Sequence, residues 1–336
     1  MTKAAELAKM GEVLTSSQLG GRRNVVINGG FQCWQRATSI TASGFSADRW
    51  RSTTGSGGAI TVSRQEFAEG QTDVPSNPKY FFRHAQTTAF TNTGFNSDRT
   101  RIEDVRTLAG QQCTLTWYMK ADANRTVRVN ITQDFGGGGS PSSDVETAIV
   151  SSQAITTSWA EYTVTFTMPS ISGKTIGSDE DSFIELGFDY RAEVNNTFTI
   201  DIANVQLEAG QGTPFENRSY GEELPLCQRY YQVIPKYTFF IGAVEVSTNS
   251  LRAGVPVNVP FRTSPTIGNI TLIVYDDDDT SFSNAAHAVF ANSGSYEVDG
   301  STGFLSVVFN GNLSGRTDNH NVTALYNTDG TLDAEF

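Results

Sequence analysis

Along this 336-residue chain, apolar and polar side chains repeatedly alternate with a period of two. Tyr162, Val164, Phe166 and Met168 interleave with Thr163, Thr165 and Thr167. Cys113, Leu115, Trp117 and Met119 interleave with Thr114, Thr116 and Tyr118, and Val127, Val129 and Ile131 follow the same rhythm. Successive side chains of a strand point to opposite faces, so each stretch lays an oily row on one side and a wet, Thr-rich row on the other. Ala59–Arg64, Phe183–Phe188 and Thr197–Leu207 read alike, and Gly, Ser, Pro, Asn and Asp clusters separate the runs. Such punctuation predicts antiparallel strands packed as a sandwich of the jelly-roll kind. No helical pattern lies between the strands, which argues against a parallel α/β sheet.

Charge divides the chain further. The net charge of −12 splits into +2 over residues 1–24, −7 over 25–231 and −7 over 232–336. A chain this acidic repels phosphate backbones, so nucleic acid is not an expected partner. No apolar run approaches the ~20 residues of a membrane span, and the first residues lack the apolar core of a secretion signal. Cys33, Cys113 and Cys227 are too few and too far apart for a disulfide framework and read as buried thiols formed in a reducing cytoplasm.

The basic leader reads as an N-terminal helix. Ala4, Leu7, Met10 and Leu14 recur at spacings of three and four, and Gly20-Gly21 ends the pattern. About four turns are unstable alone, so Leu7, Met10 and Leu14 must bury against copies of themselves or another protein. A second helix is expected over Ser219–Tyr231, where Ser219 and Glu222 fit a capping box. Pro225 conflicts with a helix interior and moves the expected start towards Pro225 itself. The expected fold class is therefore all-β: an N-terminal helical segment (1–23), a jelly-roll β-sandwich (24–218), a short linker helix (219–231) and a second, small β-domain (232–336).

Motifs for chemistry are sparse. Gly136–Gly139 lacks the Gly-Lys-Ser/Thr of a phosphate loop and reads as a flexible connection. His84, His287 and His320 show no metal-ligand or catalytic spacing, and no Gly-x-Ser-x-Gly elbow is present. Asp179, Glu180, Asp181, Glu185 and Asp189 offer carboxylates, but no spacing singles out a hydrolytic pair. Asp276, Asp277, Asp278 and Asp279 form the sharpest charge cluster: a solvated turn, or a candidate Ca²⁺ or sugar-hydroxyl site. Trp117, alternating with Leu115 and Met119, reads as core, whereas exposed aromatics elsewhere would suit sugar stacking. No catalytic residue and no organic cofactor is expected.

Several stretches taken together carry a resemblance. Asn24-Val25-Val26-Ile27-Asn28-Gly29-Gly30-Phe31, then Trp34-Gln35-Arg36 and Asp48-Arg49-Trp50, resemble the opening of a jelly-roll module of bacteriophage tail-fibre-like proteins. Ile202–Gly210, Thr213-Pro214-Phe215-Glu216-Asn217-Arg218, Gly221-Glu222-Glu223-Leu224 and Cys227-Gln228-Arg229-Tyr230-Tyr231 resemble its close. Phe261-Arg262-Thr263-Ser264-Pro265-Thr266 and the terminal Leu332–Phe336 resemble later parts; Pro225 departs from the pattern. The resemblance implies a non-enzymatic virion protein, assembled in the host bacterial cytoplasm: a homotrimeric tail-fibre or receptor-binding subunit with a jelly roll similar to carbohydrate-binding modules. It implies attachment to other virion proteins through the N-terminus and contact with host surface polysaccharide. The matched motifs look structural: Gly29 and Gly30 would serve a tight turn, Trp34 and Trp50 would pack, and the Gln-Arg pairs would anchor buried carboxylates. The alternatives are a capsid or tail decoration protein without receptor activity, and a glycan-cleaving enzyme.

Overall fold

The computed structural model describes residues 22–92, 94 and 96–235, and beyond them 243–247, 250–257, 259–263, 265–268, 271–276, 289–291, 296–297, 304–310, 321–326 and 330–336. The leader residues Leu7, Met10 and Leu14 and the aspartates Asp277, Asp278 and Asp279 lie outside the described residues. The chain divides into two compact units, residues 1–223 and 224–336.

The first unit is a sandwich of two six-stranded antiparallel sheets. Its strands are β1 (Ser39–Ile40), β2 (Gly44–Phe45), β3 (Trp50–Thr53), β4 (Ala59–Glu66), β5 (Tyr80–Thr88) and β6 (Ser97–Glu103). They continue as β7 (Gln112–Ala121), β8 (Arg125–Asp134), β9 (Val145–Ile155), β10 (Ala160–Thr167), β11 (Phe183–Asp189) and β12 (Phe198–Ala209). Sheet I runs β1-β4-β5-β12-β7-β10 and sheet II runs β2-β3-β6-β11-β8-β9. This is the expected all-β jelly-roll class.

The alternation decides what lies between the sheets. Leu115, Trp117 and Met119 of β7, Ile200, Ile202 and Leu207 of β12, and Val127, Val129 and Ile131 of β8 are all within 1% of full burial. Rings bridge the two layers: Trp117 of sheet I lies 5.7 Å from Phe188 of sheet II, and Phe31 lies 5.0 Å from Trp50 of sheet II and 5.1 Å from Phe82 of sheet I. Trp117 is therefore core.

Two strands carry polar groups on the inward face, which hides them from a hydrophobic pattern. On β6, Asp98 and Thr100 point inward beside Ile102; on β5, His84 and Gln86 follow Phe82. Asp98 accepts hydrogen bonds from the Ser52 hydroxyl (2.6 Å) and the Tyr190 hydroxyl (2.6 Å), with His84 Nδ1 at 3.0 Å. Ser, His and Asp thus meet, but the carboxylate sits between the other two and all three are fully buried. The serine bonds to the carboxylate and not to the imidazole, and that carboxylate is shared with Tyr190 in the closed core, so the group is a caged structural carboxylate rather than a catalytic triad.

In the second unit, β13 (Tyr231–Ile234), β22 (Gly330–Asp333) and β16 (Thr266–Gly268) form one antiparallel sheet. A seven-stranded sheet is built from β14 (Ala243–Ser247), β15 (Ser250–Pro256), β17 (Thr271–Asp276), β18 (Val289–Ala291), β19 (Tyr296–Glu297), β20 (Phe304–Asn310) and β21 (Asn321–Tyr326). Asp276 ends β17. The helix before these strands spans Tyr220–Gln228 with Pro225 inside it, so it starts earlier than Pro225 suggested. Glu222 Oε2 accepts from both the amide and the hydroxyl of Ser219, at 2.8 Å each, and this local cap fixes the start.

Candidate functional site

The motif residues at 24–50 and 202–223 come together around one polar seam. Asn24 Nδ2 donates to the Val205 carbonyl (3.0 Å), and Asn24 Oδ1 accepts from the amides of Val26 (3.0 Å) and Leu207 (3.1 Å). The Arg218 guanidinium reaches Glu223 at 3.2 Å, Glu216 at 3.2 Å and the Asn24 carbonyl. Asp48 accepts from the Gln35 amide (3.0 Å) and Gln35 Nε2 (2.8 Å), while Arg36 stands 4.0 Å away. Glutamine therefore holds this carboxylate more closely than the expected guanidinium does. These contacts tie the chain ends of the sandwich together.

Gly29 answers to close approach rather than to turn geometry. A β-carbon there would lie 2.1 Å from the Val205 carbonyl oxygen. The positive φ angles of the turn belong to Asn28 (57°) and Phe31 (53°). Gly136–Gly139 is likewise no loose connection. Gly136, Gly138 and Gly139 hold φ of 63–77°, and the Gly137 amide donates to Asp181 (2.7 Å).

Of the carboxylate candidates, Glu185 is clamped between Arg99 (3.1 Å) and Arg101 (2.8 Å), and Asp189 by Arg191 and Arg128. Both lie on the outer face of sheet II. Glu185 is 6% and Asp189 2% exposed, so neither offers a free acid. Among the described residues no group of three or more His, Cys, Asp or Glu could hold a metal ion.

A groove of about 610 Å³ opens on the outer face of sheet I. Its floor is the wet side of the alternating strands: Thr114, Thr116 and Tyr118 of β7, and Glu161, Thr163 and Thr165 of β10. The register places Thr114 opposite Thr165 and Thr116 opposite Thr163. Their hydroxyl oxygens stand 3.3 and 3.4 Å apart, a ladder of paired donors and acceptors. Strand spacing makes this floor about 10 Å wide over three strands.

A bulge in β12 shapes one side. The pairing with β7 shifts between Ala203 and Gln206, and Asn204 takes φ 47°. The extra residue returns Val205 and Leu207 to the core and turns Gln206 and Glu208 outward. Gln206 Oε1 accepts from the Glu216 amide (2.7 Å), and Glu208 accepts from the Thr213 amide and hydroxyl (2.8 Å each). Those bonds fasten 211–216 as a wall that brings Phe215 to the groove. Pro75-Ser76 also line the groove, and the Pro75 carbonyl accepts from Asn204 Nδ2 (3.2 Å). Asn204 Oδ1 is buried and has no protein partner.

Beyond Tyr118, the same face carries aromatic rings. Phe67, Phe81 and Trp159 pack at 4.8–5.4 Å, and Lys120 Nζ lies 5.2 Å from the Trp159 ring. The threonine rows were visible in the sequence; that they floor a groove was not, because the residues beside them come from distant segments.

No family model matches the chain, and no curated protein does. Among solved structures it is similar to a family 4 carbohydrate-binding module (16% identity, TM-score 0.31, covering 55% of this chain and 98% of that one). It is also similar to the CBM22-1 xylan-binding domain of Paenibacillus barcinonensis Xyn10C (9% identity, TM-score 0.34, 58% and 100% covered). A third similarity is to the enzymatically active domain of bacteriophage CBA120 tailspike protein 4, at 14% identity and TM-score 0.33, with 56% of this chain and 21% of that one covered.

Proposed function

We propose that this chain is a non-catalytic glycan-binding subunit of a bacteriophage particle, and that the groove on sheet I is where it holds host surface polysaccharide. The observation that carries the reading is the groove itself: paired threonine hydroxyls on a rigid sheet, with Tyr118 beside them on the floor and Phe215 on a wall. Sugars present rings with polar rims, and such ligands are held by convergent hydroxyls and amides together with aromatic surface. Sites built on strands hold their geometry better than sites on loops. The clamped or caged carboxylates Glu185, Asp189 and Asp98 support a binding role over hydrolysis. In this reading, residues 1–23 attach the subunit to other virion proteins and bring three copies together, so three weak grooves act as one strong contact.

Retention of the full-length protein on gels containing soluble polysaccharides tests the reading. Mobility falls with one or more polymers, and Phe215→Ala and Thr116→Val restore it while melting unchanged. Unaltered mobility across a broad polysaccharide panel sinks it. Light scattering on the full-length chain tests assembly: a trimer is expected, and loss of residues 1–23 yields monomers.

A further inference from the structure

The groove has a sign. Of the fifteen residues lining it, Glu161 alone carries a formal charge, and no lysine or arginine is among them. Glu161 sits on β10, the edge strand of sheet I, exposed and directly opposite Tyr118. Burial and the neighbouring Glu161 carboxylate push the Tyr118 phenol up to about 12, so it stays neutral throughout the physiological range. A second carboxylate, Glu208, lies 1% exposed behind the wall, its oxygens taken by Gln206 and Thr213. The cation nearest in sequence on this face is Lys120, and it is engaged elsewhere. Its ammonium stands 3.6 Å from Asp201 and packs over Trp159 and Phe81. The Tyr118 hydroxyl donates to Glu161, but no cation among the lining residues neutralises it.

Resting on the glycan reading above, we infer that Glu161 is a specificity-determining residue that restricts the groove to uncharged polysaccharide and rejects chains bearing carboxylate or other anionic groups. A carboxylate seated on the threonine ladder would lie within a few ångströms of Glu161, in a walled groove where screening by water is incomplete. At that range like-charge repulsion is large enough to cost roughly tenfold in affinity at low salt. It weakens as added salt shortens the screening length. Rejection by an unpaired like charge is a recognised way to make a site selective.

The test uses the full-length chain and four neutral polymers: hydroxyethyl cellulose, arabinoxylan, galactomannan and dextran. Each is compared with its own form in which primary alcohols have been oxidised to carboxylates, or carboxymethylated where none is free. Affinity electrophoresis is run at low and high salt. The expected result is that the retained polymer binds at least about tenfold more tightly in its neutral form at low salt. The gap narrows at high salt, and Glu161→Gln closes most of it. Glu161 is exposed, so the variant should melt with the parent, and this is checked. Equal retention of neutral and oxidised forms overturns the inference while leaving the glycan reading standing, as does a gap that Glu161→Gln leaves unchanged. Failure to retain any polymer in either form overturns both.

Discussion

At Gly29 a single hydrogen decides whether the sandwich closes. A methyl group there would overlap the Val205 backbone, which is itself pinned by its amide donating to the Gly29 carbonyl (3.0 Å). Neither side can yield cheaply, so Gly29→Ala should destabilise the first unit by about 1–3 kcal/mol. A fall of several degrees in melting temperature would show it; an unchanged melt would mean that the two backbone segments can separate without cost. The second decisive residue is Asp98. Asp98→Ala strands the Ser52, His84 and Tyr190 donors in the core, and unmet buried donors cost about 1–3 kcal/mol each. The first unit should then lose more stability than with Gly29→Ala, and Asp98→Asn, which keeps the shape and one acceptor, should lose less. Urea unfolding of the two variants measures the order, and an Asn variant weaker than Ala would reverse the argument.

Among the elements, β12 does most to make the site. Its inward residues Ile200 and Ile202 keep step with Val205 and Leu207 because the bulge absorbs Asn204 between them. Deleting Asn204 would remove the extra residue and let β12 alternate without a break, keeping Gln206 opposite Thr116 and Val205 and Leu207 on the core side. What is lost is the Asn204 side chain's bond to the Pro75 carbonyl. The deletion variant is therefore expected to fold, as is Asn204→Gly, which suits φ 47°, and both should hold the Pro75 side of the groove less firmly. A deletion variant found unfolded by circular dichroism would show that the bulge itself is needed to close the sandwich. Pro225 makes the opposite point: the helix Tyr220–Gln228 persists around it because its start is capped by Ser219 and Glu222. Pro225→Ala should therefore stabilise the helix, by about 1 kcal/mol or more. A higher urea midpoint would confirm this; a lower one would show that the ring packs usefully.

Across the whole molecule the charge pattern sets the pH response. Glu216 is half-buried, which raises its pKa, but the Asn24 and Arg23 amides and the Arg218 guanidinium outweigh that and hold it below its ordinary value of 4.5. Asp122, also raised by burial, is pulled below 3.8 overall by Arg125 and the Thr199 backbone, and the Ser219 amide and hydroxyl lower exposed Glu222. A carboxylate whose pKa is depressed by folding contributes stability above its unfolded value and loses it as pH falls through the folded one. Asp144, raised mainly by burial, runs the other way, but it is one group against three. Stability should thus fall as pH drops below about 4.5. At the alkaline end, burial raises Tyr118 to about 12 and lifts Tyr162 and Tyr190 as well. A folded tyrosine held protonated supports the fold below its unfolded pKa and ceases to as pH rises through the folded one. Phenolate absorbance should show most tyrosines titrating near 10 and a delayed set appearing only as the protein unfolds; a single smooth titration with the fold intact would contradict this.

The division between what was legible and what was not follows the reach of each interaction. Alternation at 113–119, 125–131 and 162–168 determined strands, an all-β class and a buried Trp117, because a strand's facing depends only on neighbours in sequence. The capping pair Ser219 and Glu222 marked its helix for the same reason. β5 and β6 escaped notice, since Asp98, His84 and Gln86 occupy inward positions that only partners 10 to 92 residues away make tolerable. Gly29 was read as a turn residue, whereas its requirement comes from Val205. The groove belongs wholly to tertiary structure: Thr114, Thr163, Pro75 and Phe215 become neighbours only when register, bulge and loop bonds have brought distant backbone together.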